Sequence, residues 1–297
     1  NVQLIYSLDG TNFPASSPNL FATVLSSSSP YPWPVPTSLR GNETVWVRVQ
    51  VEATPATRDD TDSSVKIYDV TLDTPIASDI LRVGGNFLFQ WTKYGAFPTP
   101  PNDNFKLLIS TDGTNNFPDP ANLLNTTTGS SYNWLSIPDS YRSNTVKFKL
   151  EWQGSTNIYR ISPQVSIKPN VDLTSPNSGT YSIDDVLPIN FTHTGRSSDT
   201  FRILYSTNGG DAGGGTYPNP AQVIGTVTST GATALNGFTF TCTSTVSPVT
   251  CSWTLPEVGG IMSNQFKIKV ELTDDVTGVK DESSTNLTTR GKLTLSY

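Results

Sequence analysis

Apolar and polar residues alternate with a period of two along most of the chain. VWVRVQVE at Val45, VKFKLEW at Val146 and FKIKVEL at Phe266 each put large apolar side chains on one parity and mostly charged or polar ones on the other. That pattern predicts strands with one covered face and one wetted face. NFLFQWTKYG at Asn86 sets Phe87, Phe89 and Trp91 on one face, and FKLLISTDG at Phe105 does the same with Phe105, Leu107 and Ile109. SYNWLSIP is a short strand stopped by Pro138. The middle of the chain therefore reads as about seven short strands with frequent turn signals, the pattern of an antiparallel sandwich. No apolar period of 3.6 residues runs far enough for a helix of three turns.

The same blocks recur in a fixed order. A strand ending in a tight turn appears as LIYSLDGTNFP, LLISTDGTNNFPDP and ILYSTNGG, where Asp-Gly and Asn-Gly supply the positive φ that hairpin turns need. An aromatic or Cys residue, then a Trp, then a Pro follows in YPWPVP, YNWLSIP and CSWTLP, and the alternating strand comes next. VTLDTP at Val70 and VDLTSP at Val171 open units, and KLTLSY at Lys292 resembles the start of another. Trp33, Trp134 and Trp253 are 101 and 119 residues apart, and Leu72, Leu173 and Leu295 are 101 and 122 apart. Units of roughly 100 residues match one Ig-like sandwich. The expected division is an Ig-like domain lacking its first strands at 1–69, a full Ig-like domain at 70–170, another with an inserted hairpin at 171–291, and the first strand of a following domain at 292–297. The fold class expected is all-β: tandem antiparallel Ig-like β-sandwiches in an elongated array. A chain of 297 residues that opens in mid-strand, without an initiator Met or signal peptide, reads as a segment of a longer repeat protein or a processed subunit.

LTSPNSG at Leu173, INFTHTG at Ile189, ILYSTNGG at Ile203 and SWTLP at Ser252 together carry a resemblance that extends over nearly the whole chain in three copies. The order resembles the Ig-like, fibronectin-III-like repeats of large secreted and surface proteins, related to the yeast Kre9/Knh1 N-terminal module. Phe191 departs from it, standing where many copies have Trp. The resemblance implies an extracellular, non-catalytic module and supplies no catalytic residues.

Composition narrows the chemistry. Charged residues make up 15% of the chain, with Ser, Thr and Asn carrying the polarity instead, and 22 Gly and 22 Pro oppose long helices. A net charge of -6 gives no footprint for nucleic acid. One His, one Met and two Cys leave almost no material for a His-based metal site, a haem, a zinc finger or a Ser-His-Asp triad. No run approaches the ~20 apolar residues of a membrane span.

The candidate residues follow from this background. Trp33, Trp134 and Trp253 recur at one fold position beside a Pro and are expected in the cores rather than as stacking platforms. Trp46 and Trp152 flank the alternating strands, where a core place or a domain junction suits them. Cys242 and Cys251 lie across a turn at Ser247-Pro248 and are expected to pair, bracing the inserted hairpin. His193, in FTHTG at a strand end, is expected to be a surface or edge residue, and GGDAGGGTYP at Gly209 is a hairpin loop with no helix behind it to bind phosphate. Asp59, Asp60 and Asp62, and Asp274 and Asp275, sit in acidic runs that read as solvated turns, with Ca²⁺ as the alternative and the only cofactor considered. Asn42, Asn125, Asn190 and Asn286 begin N-x-[ST] sequons, which are glycan candidates if the source is eukaryotic and carry no meaning if it is bacterial.

The function expected is a non-catalytic extracellular or cell-surface structural protein: a repeat segment of a stalk, filament or adhesin. Its partners are neighbouring copies or repeats of itself in a fibre or surface layer, and glycans. The alternative is a set of carbohydrate-binding or accessory modules of a secreted hydrolase, for which Tyr94, Tyr141 and Tyr217 are the aromatic candidates.

Overall fold

The computed structural model describes residues 1–98, 103–218, 221–258 and 260–292. The predicted strand at 292–297 lies outside the described residues but for Lys292. Among the described residues there is no α-helix, only single 3-10 turns at Ser26–Ser28, Thr37–Leu39 and Asp139–Tyr141. The fold is that of tandem, antiparallel, Ig-like β-sandwiches.

The strands of the first repeat are β1 (Val2–Ser7), β2 (Leu20–Val24), β3 (Trp46–Val51) and β4 (Thr54–Asp60), one antiparallel sheet in the order β2-β1-β3-β4. The second repeat contains β5 (Asp69–Leu72), β6 (Ile80–Arg82), β7 (Phe87–Tyr94), β8 (Phe105–Ser110), β9 (Leu123–Thr127), β10 (Ser131–Trp134), β11 (Ser143–Trp152), β12 (Tyr159–Ile161) and β13 (Val165–Lys168). The third contains β14 (Val171–Ser175), β15 (Thr180–Ser182), β16 (Val186–His193), β17 (Phe201–Ser206), β18 (Val223–Thr228), β19 (Gly231–Ala234), β20 (Thr239–Ser244), β21 (Val249–Thr254), β22 (Ser263–Leu272), β23 (Lys280–Glu282) and β24 (Leu287–Arg290).

By compactness the chain forms two units. One comprises Asn1–Asp79, Leu88–Trp134 and Thr145–Val165; the other comprises Ile80–Phe87, Leu135–Asn144 and Ser166–Tyr297. In the first unit, β10-β7-β5 forms a small sheet, and β8 pairs with β9 and β11. The alternating residues meet between these layers. Phe89 packs edge-on against Phe148 at 4.8 Å, and Trp91 lies 6.2 Å from Phe105. The two Asp-Gly turns of this unit are each held by their Asp. Asp9 Oδ1 accepts from Ser7 Oγ and from the amides of Thr11 and Asn12, all at 2.8 Å. Asp112 Oδ1 accepts from Ser110 Oγ at 2.5 Å and the Thr114 amide at 2.9 Å. Gly10 and Gly113 follow at φ +72 and +78, where a side chain would be strained.

In the second unit, β14-β16-β21-β20 forms one sheet, and β17 pairs with β22 and β18 in another. Trp253 is fully buried at their centre, stacked on Phe266 at 6.2 Å, and Tyr205 stacks on the same ring at 5.8 Å. The extra residues of this repeat do more than make a hairpin. They add β19 beside β18 and β20 beside β21, so one short segment extends both layers. Cys242 and Cys251 are directly opposite in the β20–β21 ladder and form a disulfide. Because β21 is the strand of Trp253, the bond ties the inserted strand to the core, where the sequence suggested a brace confined to the insertion.

Candidate functional site

The first repeat departs from the other two on the face of β3. In β11, Val146, Phe148 and Leu150 are completely buried, as are Phe266, Ile268, Val270 and Leu272 in β22. In β3 the polar parity is covered as well, with Arg48 and Gln50 buried as Lys267, Lys269 and Glu271 are in β22, but the apolar parity is open: Val49 is 42% exposed. The polar face closes on itself: the Arg48 guanidinium holds Asp60 at 2.6 and 2.9 Å and stacks 3.7 Å above Phe13, and Gln50 Nε2 donates to Gln3 at 2.8 Å. Arg48 keeps the Asp60 carboxyl below its ordinary range through that hydrogen bond.

The apolar face opens into a groove of about 380 Å³ lined by Val2, Leu4, Phe21, Trp33, Val47 and Val49. Trp33 is half-buried there, stacked on Phe21 at 4.3 Å, whereas Trp134 is buried and Trp253 fully so. In the later repeats this side of the sheet is faced by β5-β7-β10 or by β14-β16-β21. Among the described residues of the first repeat no such layer exists. The Trp33 segment, whose counterparts are β10 and β21, is in no strand.

A second recurrent feature joins the ends of successive repeats. Arg40 directly follows the 3-10 turn Thr37–Leu39, and its Nε lies 2.6 Å from Asp69 at the start of β5; Arg160 holds the other Asp69 oxygen. Arg40 also lies 5.3 Å from the centre of the Tyr94 ring. Glu43 accepts from the Ala96 amide at 2.7 Å, and Trp152 packs on Tyr68 and Phe97 at 5.7 and 5.2 Å. Trp152 thus takes the junction place rather than the core. In the second unit Arg142 follows the 3-10 turn Asp139–Tyr141 in the same way, and its Nη1 donates to both oxygens of Asp199 at 2.8 and 2.7 Å. Arg196 reaches Asp139 at 2.6 Å, Lys168 reaches Asp275 at 2.8 Å, and Arg82 donates to the carbonyls of Pro169 and Gly278, both at 3.0 Å. Sequence reasoning passed over these two arginines. The signal was present, because SLRGN and SYRSN hold an Arg at the same place before the alternating strand, with Met262 there in the third repeat.

The other candidates resolve individually. The two acidic runs are not structurally equivalent: Asp59 and Asp60 lie within β4, whereas Asp274 and Asp275 lie in the turn after β22. Asp60 is taken by Arg48, and Asp275 by Lys168 and the Gly278 amide. Asp62 follows β4 on the surface. Among the described residues no three His, Cys, Asp or Glu side chains converge as metal ligands. His193 is the last residue of β16, the strand end expected, but it is half-buried rather than open on the surface. It sits half-buried 4.5 Å from the Phe201 ring, with Nδ1 accepting from the Gly195 amide at 3.1 Å. Burial lowers its pKa, against the pull of Asp199.

None of the three tyrosine candidates is an exposed platform. Tyr94 lies under Arg40, Tyr141 is half-buried in its 3-10 turn, and Tyr217 donates to Glu282 at 2.8 Å beneath Lys269. Tyr31 and Tyr159 are the more open rings, at 39% and 40%. Of the sequons, Asn286 is exposed, Asn42 and Asn125 are half-buried, and Asn190 Oδ1 is buried without a partner. No described helix is long and apolar enough to cross a membrane.

The fold and these surfaces define a class: tandem Ig-like and fibronectin-III-like modules. No protein-family model matches the chain, and no curated protein matches it. Solved structures to which it is similar include fibronectin(III)-like modules of Clostridium thermocellum CbhA, at 15% identity over 77% of this chain and 99% of that one, TM-score 0.23. Three N-terminal domains of the bacteriophage RB49 highly immunogenic outer capsid protein align at 13% identity over 99% and 89%, TM-score 0.27. The titin I-band fragment I67–I69 aligns at 8% over 86% and 76%, TM-score 0.27. The fold description rests on the strand topology above, not on these likenesses.

Proposed function

We propose that the chain is a non-catalytic, extracellular structural protein whose repeats, bounded near 69/70 and 170/171, form part of a surface stalk, filament or adhesin. The observation that carries this reading is the pair of junctions. At each, an arginine that follows an equivalent 3-10 turn forms an ion pair with a carboxylate at or beyond the boundary, Asp69 or Asp199, and at the second only two residues separate β13 from β14. A short, clamped linker favours load-bearing arrays over freely jointed beads. The disulfide suits an oxidising compartment. The order of motifs supports kinship with the Kre9/Knh1-like module. The carbohydrate-binding alternative has less support, since its tyrosines are engaged within the fold.

Antibodies against the purified chain, applied to intact and permeabilised source cells, test this. Labelling of intact cells, with loss of the antigen on protease shaving, is expected. Antigen confined to the interior of permeabilised cells would refute it.

A further inference from the structure

We propose that His193 is a pH-operated latch on the clamp between the second and third repeats: on taking up a proton it releases the loop that presents Asp199 to Arg142. The inference goes beyond the surface-protein reading above and rests only on the geometry of this junction.

The loop that leads from β16 to β17 is held by its amides. Thr194 donates to the Asn170 carbonyl at 3.1 Å, Gly195 to His193 Nδ1 at 3.1 Å, and Arg196 to Asp199 Oδ2 at 2.7 Å. Successive donors thus each have an acceptor, and the last of these acceptors is the carboxylate that Arg142 grips. Gly195 sits tightly between imidazole and carboxylate. A Cβ there would strike Asp199 Oδ2 and lie 3.3 Å from His193 Nδ1. A change at the imidazole is therefore felt one residue away from the clamp.

Of these acceptors only Nδ1 is lost near neutral pH, since a carbonyl does not titrate there and carboxylates take a proton only well below it. A neutral imidazole has one accepting nitrogen, whereas an imidazolium donates from both. Protonation therefore sets two donors face to face at 3.1 Å and leaves the Gly195 amide without its partner. Around His193, β14 brings Val171, β17 brings the Phe201 ring, and the turn after β20 brings Ser247, whose Oγ accepts from the His193 amide at 3.0 Å. Asp172, the charged residue of β14, lies on its exposed parity. Arg196 and Lys168 are directed at Asp139 and Asp275. Among the described residues, Asp199 is the charged group that draws on the imidazole, and Arg142 already holds it. An imidazolium thus competes with Arg142 for one buried carboxylate. Burial keeps His193 uncharged at neutral pH. The clamp is closed there and opens as pH falls through the folded-state pKa of His193, which lies below the ordinary value of about 6.5.

Two measurements on the purified chain test the proposal: carbon-13 titration of the imidazole, which gives a single signal because the chain has one His, and the Arg142–Asp199 double-variant cycle repeated across that titration. The coupling, expressed as an equilibrium constant, should fall at least about fivefold between about pH 7.5 and roughly one pH unit below the His193 midpoint. By reciprocity, Arg142→Ala should raise the proton affinity of His193 by a similar factor. His193→Asn offers Oδ1 to the Gly195 amide and takes up no proton, so its coupling should stay level over the same range. A coupling that stays constant while wild-type His193 titrates overturns the proposal. A fall that persists in His193→Asn also overturns it, since another group is then responsible, and so does an unchanged proton affinity in Arg142→Ala. Failure here leaves the surface-labelling result of the preceding section standing, and the converse holds.

Discussion

Replacing Arg142 with Ala removes the two contacts from Nη1 to Asp199 at 2.8 and 2.7 Å. The Asp199 side chain is 6% exposed and that of Arg142 17%, so water cannot fully replace the lost partner. Asp199 keeps one donor, the Arg196 amide at 2.7 Å. An exposed ion pair is worth about 0.2–1 kcal/mol. A hydrogen bond to a charged group is worth about 1.5–3 kcal/mol, and stripping one partner from a fully buried pair costs about 3–5 kcal/mol. With one donor retained and the arginine partly wet, the expected loss is about 2 kcal/mol. Urea unfolding of wild type, Arg142→Ala, Asp199→Asn and the double variant forms a cycle, with calorimetry identifying the transition affected. A coupling energy of about 1–2 kcal/mol is expected, little changed by salt. The more exposed Arg196–Asp139 pair, at 44% and 33%, should give less and be screened by salt. Coupling below about 0.3 kcal/mol for Arg142 and Asp199 would refute the idea that this junction is held by its clamp.

Replacing both Cys242 and Cys251 with Ser should lower stability by about 2–3 kcal/mol, from the chain-entropy cost of a ten-residue loop; unchanged urea midpoints would contradict this. Burial favours neutral His193 in the folded state. Its contribution is therefore complete above about pH 6.5 and is lost as pH falls below that value, so the wild-type midpoint should drop between pH 7.5 and 5.5 more than that of His193→Phe. Hydrogen bonds from Ser110 and Thr114 hold the Asp112 carboxyl at about 2, so carbon-13 titration should find it still ionised near pH 3. If the chain is made in a glycosylating host, Asn286 should be modified most fully and Asn190 not at all, as peptide mass mapping would read.

The repeats, the strands and the positions of Trp134 and Trp253 were legible because period-2 alternation and turn residues are local signals. The place of Trp33 was less so. Its block matches the others in sequence, but its burial depends on a facing layer that the block does not encode. The open apolar parity of β3 has the same cause. The cover of the polar parity was not foreseen either, since Arg48 is covered by Asp60 and Phe13 and Lys269 and Glu271 by one another, where charge was read as wet. His193 was misplaced because its burial comes from Phe201, on a different strand. The junction arginines were visible as a recurrent letter, yet their meaning lay in carboxylates that the fold brings from the next repeat.

Protease shaving of intact source cells tests the proposed function most directly. The account predicts that antibody labels the chain on intact cells and that shaving removes it. Antigen that resists shaving and is labelled only after permeabilisation would contradict it.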